Sequence, residues 1–113
     1  MPAQLSITGS RFDGGVLLLL VGEVDLARSP ELRMRLRDEV DHRPRRLVID
    51  LTGITYMDSS GVATLVEALQ RSKASGTRLL LSGLQPKVRS IFTISRLDSV
   101  FEIAATAEEA KTR

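Results

Sequence analysis

The sequence predicts an α/β domain built on a single mixed β-sheet of about four to five strands, with helices packed on it. Strand-length apolar runs alternate with segments of helical periodicity, which is typical of a largely parallel sheet joined by right-handed crossovers. Ahead of that alternation, two strand-like runs flank Asp13-Gly14-Gly15, a turn signal that favours an antiparallel hairpin. The predicted order is β-β-α-β-α-β-α-(β)-α, and the 113 residues make one domain, 1–113.

The two hairpin strands differ in pattern. Residues 4–8 alternate polar and apolar side chains, which predicts a strand with one buried face. Residues 16–21 form an unbroken apolar run closed by Gly22, which predicts a strand buried on both faces.

The first helix begins at Ser29-Pro30-Glu31, because a hydroxyl cap, a proline and an acid suit the start of a helix. Its inward stripe repeats every four residues, at Leu32, Leu36 and Val40. The stretch 42–44 ends with Pro44 and stops the helix. Residues 47–51 then predict a second buried strand, which Thr52-Gly53 punctuates.

An amphipathic helix follows Asp58-Ser59-Ser60-Gly61 and ends at Ser75-Gly76, with Gly76 as its left-handed cap. One face of that helix is apolar, at Val62, Leu65, Val66 and Leu69. Residues 79–81 predict a third buried strand, closed by Gly83. Three elements complete the chain: a helix over 86–94, a short strand over 100–103 and a helix over 104–111 capped by Thr106.

The composition excludes several classes of chemistry. There are no cysteines, so a disulfide scaffold, a thiolate zinc site and a cysteine nucleophile are excluded. The single histidine, His42, rules out a metal site built from several histidines. Aromatic residues make up only 4%, too few for stacking on single-stranded nucleic acid. The sequence therefore favours a binding or switch module, and we expect no cofactor and no metal.

The charge pattern favours a solvated surface over a nucleic-acid site. The net charge is +2, and the densest basic stretch is Arg33, Arg35, Arg37, Arg43, Arg45 and Arg46. Acids interrupt that stretch, at Glu31, Asp38, Glu39 and Asp41, so we expect no direct contact with nucleic acid. The longest apolar run, 16–21, is too short to cross a bilayer and too far from the start for a signal peptide. We therefore expect a cytoplasmic protein without a membrane segment.

The segment Asp50–Gly61 departs from simple core patterning. A buried strand leads into a loop, and three side chains that suit a helix cap then stand in a row, at Asp58, Ser59 and Ser60. One cap and ordinary turn residues would explain them. Alternatively, an exposed serine at a helix N-terminus can carry a phosphate, since free N–H groups and the positive dipole end accept the charge. A partner docked over that serine would be repelled by the dianion.

Two motifs resemble the anti-sigma factor antagonists, the small stand-alone STAS domains of bacteria. The first is Gly22-Glu23-Val24-Asp25 followed by Ser29-Pro30-Glu31-Leu32, and the second is Tyr56-Met57-Asp58-Ser59-Ser60-Gly61. The stretch 83–92 resembles the third helix of that family, so the resemblance covers nearly the whole chain and implies a STAS-like fold. The family often continues Gly-Leu-Gly after the serines, whereas Val62-Ala63 follows Gly61 here.

The resemblance implies a phosphorylation-controlled switch that is not an enzyme. Ser59 matches the phosphorylated position, and the partner-binding positions are Asp58, Ser60, Gly61, Met57, Glu23 and Asp25. Unphosphorylated protein would bind an anti-sigma factor that is also a serine kinase and so release a sigma factor, regulating transcription in a stress response. The kinase would phosphorylate Ser59 with ATP, and a metal-dependent serine phosphatase would reset the cycle.

Residue types alone add two expectations. Glu23 and Asp25, two apart on a strand, would share a face, and partner recognition suits them better than acid–base work because no second catalytic group is near. One of Tyr56 and Met57 should pack inward; Met57 would be an adaptable surface contact beside Ser59.

Other functions stay open. A hydrolase with Ser59 as nucleophile would need His42 as its base. A STAS scaffold outside sigma control, stressosome-like or accessory to transport, is the main alternative. The sequence also leaves a weak homodimer and a bound nucleotide open, and it does not identify the sigma factor, the stress signal, the kinase or the phosphatase.

Overall fold

The computed structural model describes residues 4–113 and contains one five-stranded sheet in the order β1-β2-β3-β4-β5. The strands are β1 Leu5–Phe12, β2 Gly15–Val24, β3 Arg46–Met57, β4 Arg78–Ser82 and β5 Glu102–Ala104. The helices are α1 Ser29–Asp41, α2 Ser59–Ser75, α3 Pro86–Ile94 and α4 Ala107–Thr112. β1 is antiparallel to β2, and every other neighbouring pair is parallel. The predicted fold class is confirmed.

The main hydrophobic core lies between one face of the sheet and the helices α1, α2 and α3. The predicted stripe of α1 is fully buried there, at Leu32, Leu36 and Val40. Phe92 of α3 meets Phe101 edge-on, with ring centroids 5.5 Å apart. A smaller cluster occupies the other face beneath α4, formed by Val48, Leu80, Ala104 and Ala110. Because side chains alternate along a strand, β3 and β4 supply both clusters.

The prediction that residues 16–21 are buried on both faces is wrong. Leu18 and Leu20 are fully buried, but Leu19 is 38% and Val21 is 47% exposed. The reason is the length of α4, which has six residues: Leu17 of β2 still packs against the cluster beneath this helix, but Leu19 and Val21 lie beyond its cover.

Three predicted boundaries also need correction. Gly22 does not close β2: the strand continues to Val24, and Gly22 (φ +122°) sits at an irregularity in the register with β3. Thr52-Gly53 does not end β3, which runs on to Met57. β5 starts two residues later and ends one residue later than the predicted strand.

The predicted helix caps and bounds hold with two exceptions, the cap of α1 and the start of α4. Ser29 is the first residue of α1 and not its cap, since the cap position is Arg28. Gly76 caps α2 in the left-handed conformation, with φ +77°. Thr106 caps α4 by accepting a hydrogen bond from the Glu109 N–H at 3.1 Å. The bounds of α3 match the prediction, whereas α4 starts later, at Ala107.

The arginines of the basic stretch that lie on α1 form a salt-bridged surface, in which one of the interspersed acids, Glu39, takes part. Glu67 of α2 accepts from Arg33 at 3.0 Å and from Arg37 at 2.9 Å, and Arg35 pairs with Glu39 on α1 at 3.1 Å. The hydrogen bond from Arg37 is the main cause that lowers the pKa of Glu67. None of the helices between residues 4 and 113 is long and apolar enough to span a membrane.

Candidate functional site

The candidate site lies where β2 and β3 end, at the carboxyl edge of the parallel sheet. Asp58 alone separates β3 from α2, so the predicted loop is shorter than expected and residues 54–57 belong to the strand. The Asp58 N–H donates to the Val24 carbonyl at 3.2 Å. This bond joins the start of α2 to the end of β2, and so brings the two sequence motifs together.

Asp58 is the residue that caps α2. Its Oδ1 atom accepts from the Ser60 N–H at 2.9 Å and from the Gly61 N–H at 3.4 Å. The Ser60 hydroxyl also donates to Oδ1. That hydroxyl bond is the main cause that lowers the pKa of Asp58; backbone N–H groups of Ser60, Gly61 and Leu26 add to the effect, while burial opposes it. The carboxylate is therefore held ionised at the helix start.

The two neighbouring serines differ in accessibility. Ser59 is exposed as the first residue of α2, and its hydroxyl makes no hydrogen bond to any part of the chain from residue 4 onward. Ser60 is half-buried, with its hydroxyl on Asp58 and its carbonyl accepting from the Thr64 hydroxyl at 2.8 Å. The Ser59 hydroxyl is therefore accessible from solvent, whereas the Ser60 hydroxyl is held in a hydrogen bond.

The first motif forms the turn beside this helix start. Glu23 lies opposite Tyr56 in the β2–β3 register. Asp25 lies beyond the end of β2, where its carboxylate accepts from the Arg28 N–H at 3.0 Å and the Arg28 guanidinium at 2.7 Å. The prediction that Glu23 and Asp25 share a strand face is therefore wrong, since Asp25 organises the turn into α1.

The same turn exposes an apolar side chain that sequence analysis overlooked. Leu26 is 75% exposed, and its backbone N–H makes a small contribution to lowering the pKa of Asp58. The signal that could have identified it is its position: Leu26 lies between the first strand motif and the start of α1, where no apolar repeat requires a leucine.

Met57 and Tyr56 have the reverse of their predicted placement. Met57 is 1% exposed and belongs to the main core, whereas Tyr56 is 48% exposed. Gly61 is also buried, and a Cβ built on it would lie 2.7 Å from Met57 Cγ and 2.8 Å from Val24 Cγ1. Met57 is thus not a surface contact, and both Met57 and Gly61 support the site from inside.

His42 lies at the other end of the molecule from Ser59. α1 starts at the carboxyl edge of the sheet and carries the chain away for 13 residues, about 20 Å, before reaching His42. The His42 Nδ1 atom lies 2.7 Å from the Asp38 carbonyl oxygen. The hydrolase alternative therefore lacks its base. No group of three or more His, Asp or Glu side chains among the described residues could hold a metal ion.

Comparisons with known proteins agree on one family. The model of the STAS domain matches residues 9–110. BtrV of Bordetella bronchiseptica, a candidate anti-sigma factor antagonist, is 31% identical over 106 residues, which cover 94% of this chain and 91% of BtrV.

Solved structures show the same fold. An anti-sigma factor antagonist from Mycobacterium paratuberculosis superposes with a TM-score of 0.89 at 23% identity, over 96% of this chain and 92% of that one. The anti-sigma factor antagonist SpoIIAA in its unphosphorylated form gives a TM-score of 0.81 at 24% identity, over 96% and 95% of the two chains. Bacillus SpoIIAA in its phosphorylated form gives 0.70 at 25% identity, over 99% and 98%.

Proposed function

The chain belongs to the STAS domain family, and from this premise we propose that it is an anti-sigma factor antagonist whose partner binding is switched by phosphorylation of Ser59. The observation that carries the proposal is the contrast between two adjacent hydroxyls. Ser59 is exposed and free at the helix start, whereas Ser60 is tied to Asp58. The structures of SpoIIAA in phosphorylated and unphosphorylated forms support the same interpretation for this fold.

The helix start can accept a phosphate without rearrangement of the fold. A group on the Ser59 hydroxyl points into solvent, and the positive end of the α2 dipole favours negative charge there. The phosphate would add about two negative charges next to an Asp58 carboxylate that is already ionised. The folded chain tolerates this charge because it stays hydrated.

A partner docked over the same surface would not tolerate it. The surface around Ser59 includes the exposed Leu26 and Tyr56, which a partner would cover. Covering a phosphate dianion there requires its desolvation, and any acidic group across the interface would repel it. Unphosphorylated chain would bind a serine-kinase anti-sigma factor and release its sigma factor. Phosphorylation by that kinase with ATP would break the complex, and a serine phosphatase would reset it.

The direct test is phosphorylation of the purified chain. We expect the cognate serine-kinase anti-sigma factor, supplied with ATP, to add one phosphate at Ser59, located by mass spectrometry of proteolytic peptides. Ser59→Ala should abolish the modification. Ser60→Ala is the matched control, one residue further along the same helix, and should keep it. A phosphate on Ser60, or none on either serine, would refute the proposal.

A further inference from the structure

A second surface begins two residues before Ser59, on the side of β3 that faces α3. β3 pairs with β4 only as far as Asp50, opposite the last residue of β4, Ser82. From there to Met57, the described part of the chain pairs β3 only with β2. The Gln85 side chain covers part of this outer edge by donating to the Thr52 carbonyl at 2.6 Å. Beyond Thr52, no described residue forms a backbone hydrogen bond to the outer edge of the strand, as on an edge strand.

A groove of about 280 Å³ runs between this edge and α3. Its lining is mostly apolar and consists of Thr55, Tyr56, Met57, Lys87, Val88 and Ile91. Met57 and Val88 form the buried floor, and Tyr56 is exposed at the side. An apolar groove beside an unpaired strand edge suits an extended peptide, which gains backbone hydrogen bonds from the edge and side-chain contacts from the floor.

The charge around the groove selects the chemistry of that peptide. α3 carries Lys87 and Arg89 and no acidic residue. Neither of these cations forms an ion pair with any described residue. Lys87 lines the groove itself, whereas Arg89 lies on the neighbouring side of the helix. An occupant with acidic side chains would complement this charge.

We propose that the groove between β3 and α3 binds an extended acidic segment of the partner that docks over Ser59, and that this segment adds to the outer edge of β3. The inference rests on the proposed function for the identity of the partner, since the exposed Tyr56 belongs both to the lining of the groove and to the surface around Ser59. It assigns the partner two points of attachment: a helix start that senses phosphate, and a strand edge that does not.

The first test uses a synthetic probe and no kinase. The acetylated and amidated peptide Val-Glu-Val-Glu-Val, titrated to millimolar concentration, should shift the amide NMR signals of residues 55–57 and of α3. The peptide Val-Lys-Val-Lys-Val should not bind, because it meets Lys87 with like charge. The peptide Val-Glu-Pro-Glu-Val should bind more weakly, because proline removes one N–H from the pairing.

Matched variants separate the groove from general charge effects. Lys87→Glu should weaken binding of the acidic peptide about fivefold to tenfold, since it replaces an attraction at the rim with a repulsion. Its fold should survive, because a glutamate in the first turn of α3 suits the helix dipole. Lys73→Glu, on the exposed last turn of α2, makes the same charge change away from the groove and should leave binding unchanged.

Two kinds of result, one with the peptides and one with the kinase, would overturn the inference. The first is equal binding of the acidic and basic peptides, or no shift at residues 55–57. The second is that unphosphorylated Lys87→Glu binds the kinase with unchanged affinity and the kinase still phosphorylates its Ser59. The groove would then lie outside the partner site, and the proposed function would stand. Absence of Ser59 phosphorylation together with intact peptide binding would instead overturn the proposed function alone.

Discussion

Gly61, in the first turn of α2, packs directly against Met57 at the end of β3. A Cβ on Gly61 would stand 2.7 Å from Met57 Cγ, closer than side chains tolerate, and Val24 closes the other side at 2.8 Å. Gly61→Ala should therefore lower the free energy of unfolding by about 1–3 kcal/mol, although alanine favours helices. Thermal and urea unfolding would measure this. Ser59→Ala, exposed in the same turn, is the control and should stay within about 0.5 kcal/mol; equal stability of both variants would contradict the packing.

The pKa of Asp58 links the helix start to acid stability. The pKa is lowered below its usual 3.8, chiefly by the Ser60 hydroxyl, so the ionised carboxylate stabilises the fold at neutral pH. That contribution is lost as the pH falls below the unfolded-state pKa and through the folded-state value. Asp58→Ala should cost about 1 kcal/mol at neutral pH, and the difference from wild type should shrink as acid is added. Urea unfolding across a pH series would show it; a difference that grows in acid would contradict the sign.

Two adjacent leucines of β2 should differ in how much each contributes to stability, because they face opposite sides of the sheet. Leu18 is fully buried, whereas Leu19 is 38% exposed. Leu18→Ala should destabilise the protein by about 2–5 kcal/mol, because it leaves a cavity in the main core. Leu19→Ala should cost under about 1.5 kcal/mol, because much of its surface is already hydrated. Urea unfolding of the two variants measures both changes in the free energy of unfolding. Comparable losses of stability would mean that the side of β2 that carries Leu19 is covered.

Local patterns predicted most of the fold because they record burial and backbone geometry directly. The four-residue repeat of Leu32, Leu36 and Val40 located the core face of α1, and Gly76 ended α2 because it adopts a positive φ. The apolar run of β2 could not reveal that one of its faces is covered at Leu17 but not at Leu19 and Val21. Cover depends on the short α4, far along the chain, so it is a tertiary property.

The candidate site was predictable in position and less so in detail. Three capping side chains in a row located the helix start, but only the structure shows that Asp58 holds Ser60 and leaves Ser59 free. Met57 was misplaced because the strand was predicted to end at Thr52-Gly53, whereas β3 continues to Met57, which lies on the same core face as Leu47. Leu26 was overlooked because exposure of a turn residue has no periodic signal.

Ser59→Asp separates folding from partner binding. We expect the variant to unfold within about 1 kcal/mol of wild type, because an acid in the first turn of α2 is favoured by the dipole and stays hydrated. Under the proposed function, its affinity for the serine-kinase anti-sigma factor should fall about tenfold or more, since burying the added charge costs desolvation. Calorimetric titration would measure the affinity, with Ser59→Ala as the uncharged control. Tight binding by Ser59→Asp would show that charge is not the switch.

Substitution of Leu26 should affect partner binding much more than stability. Its side chain is 75% exposed, so Leu26→Ala removes few contacts within the chain and should change the free energy of unfolding by less than about 0.5 kcal/mol. If the partner covers the turn beside Asp58, the same substitution removes an apolar anchor and should weaken kinase binding by more than about 1 kcal/mol. Ile94→Ala is the matched control, because Ile94 is 82% exposed but lies at the far end of α3. Titration of both variants against the kinase distinguishes the two cases. Equal affinities of Leu26→Ala and Ile94→Ala would place the turn outside the interface. A loss of affinity confined to Leu26→Ala would place the interface over the two motifs that Asp58 joins.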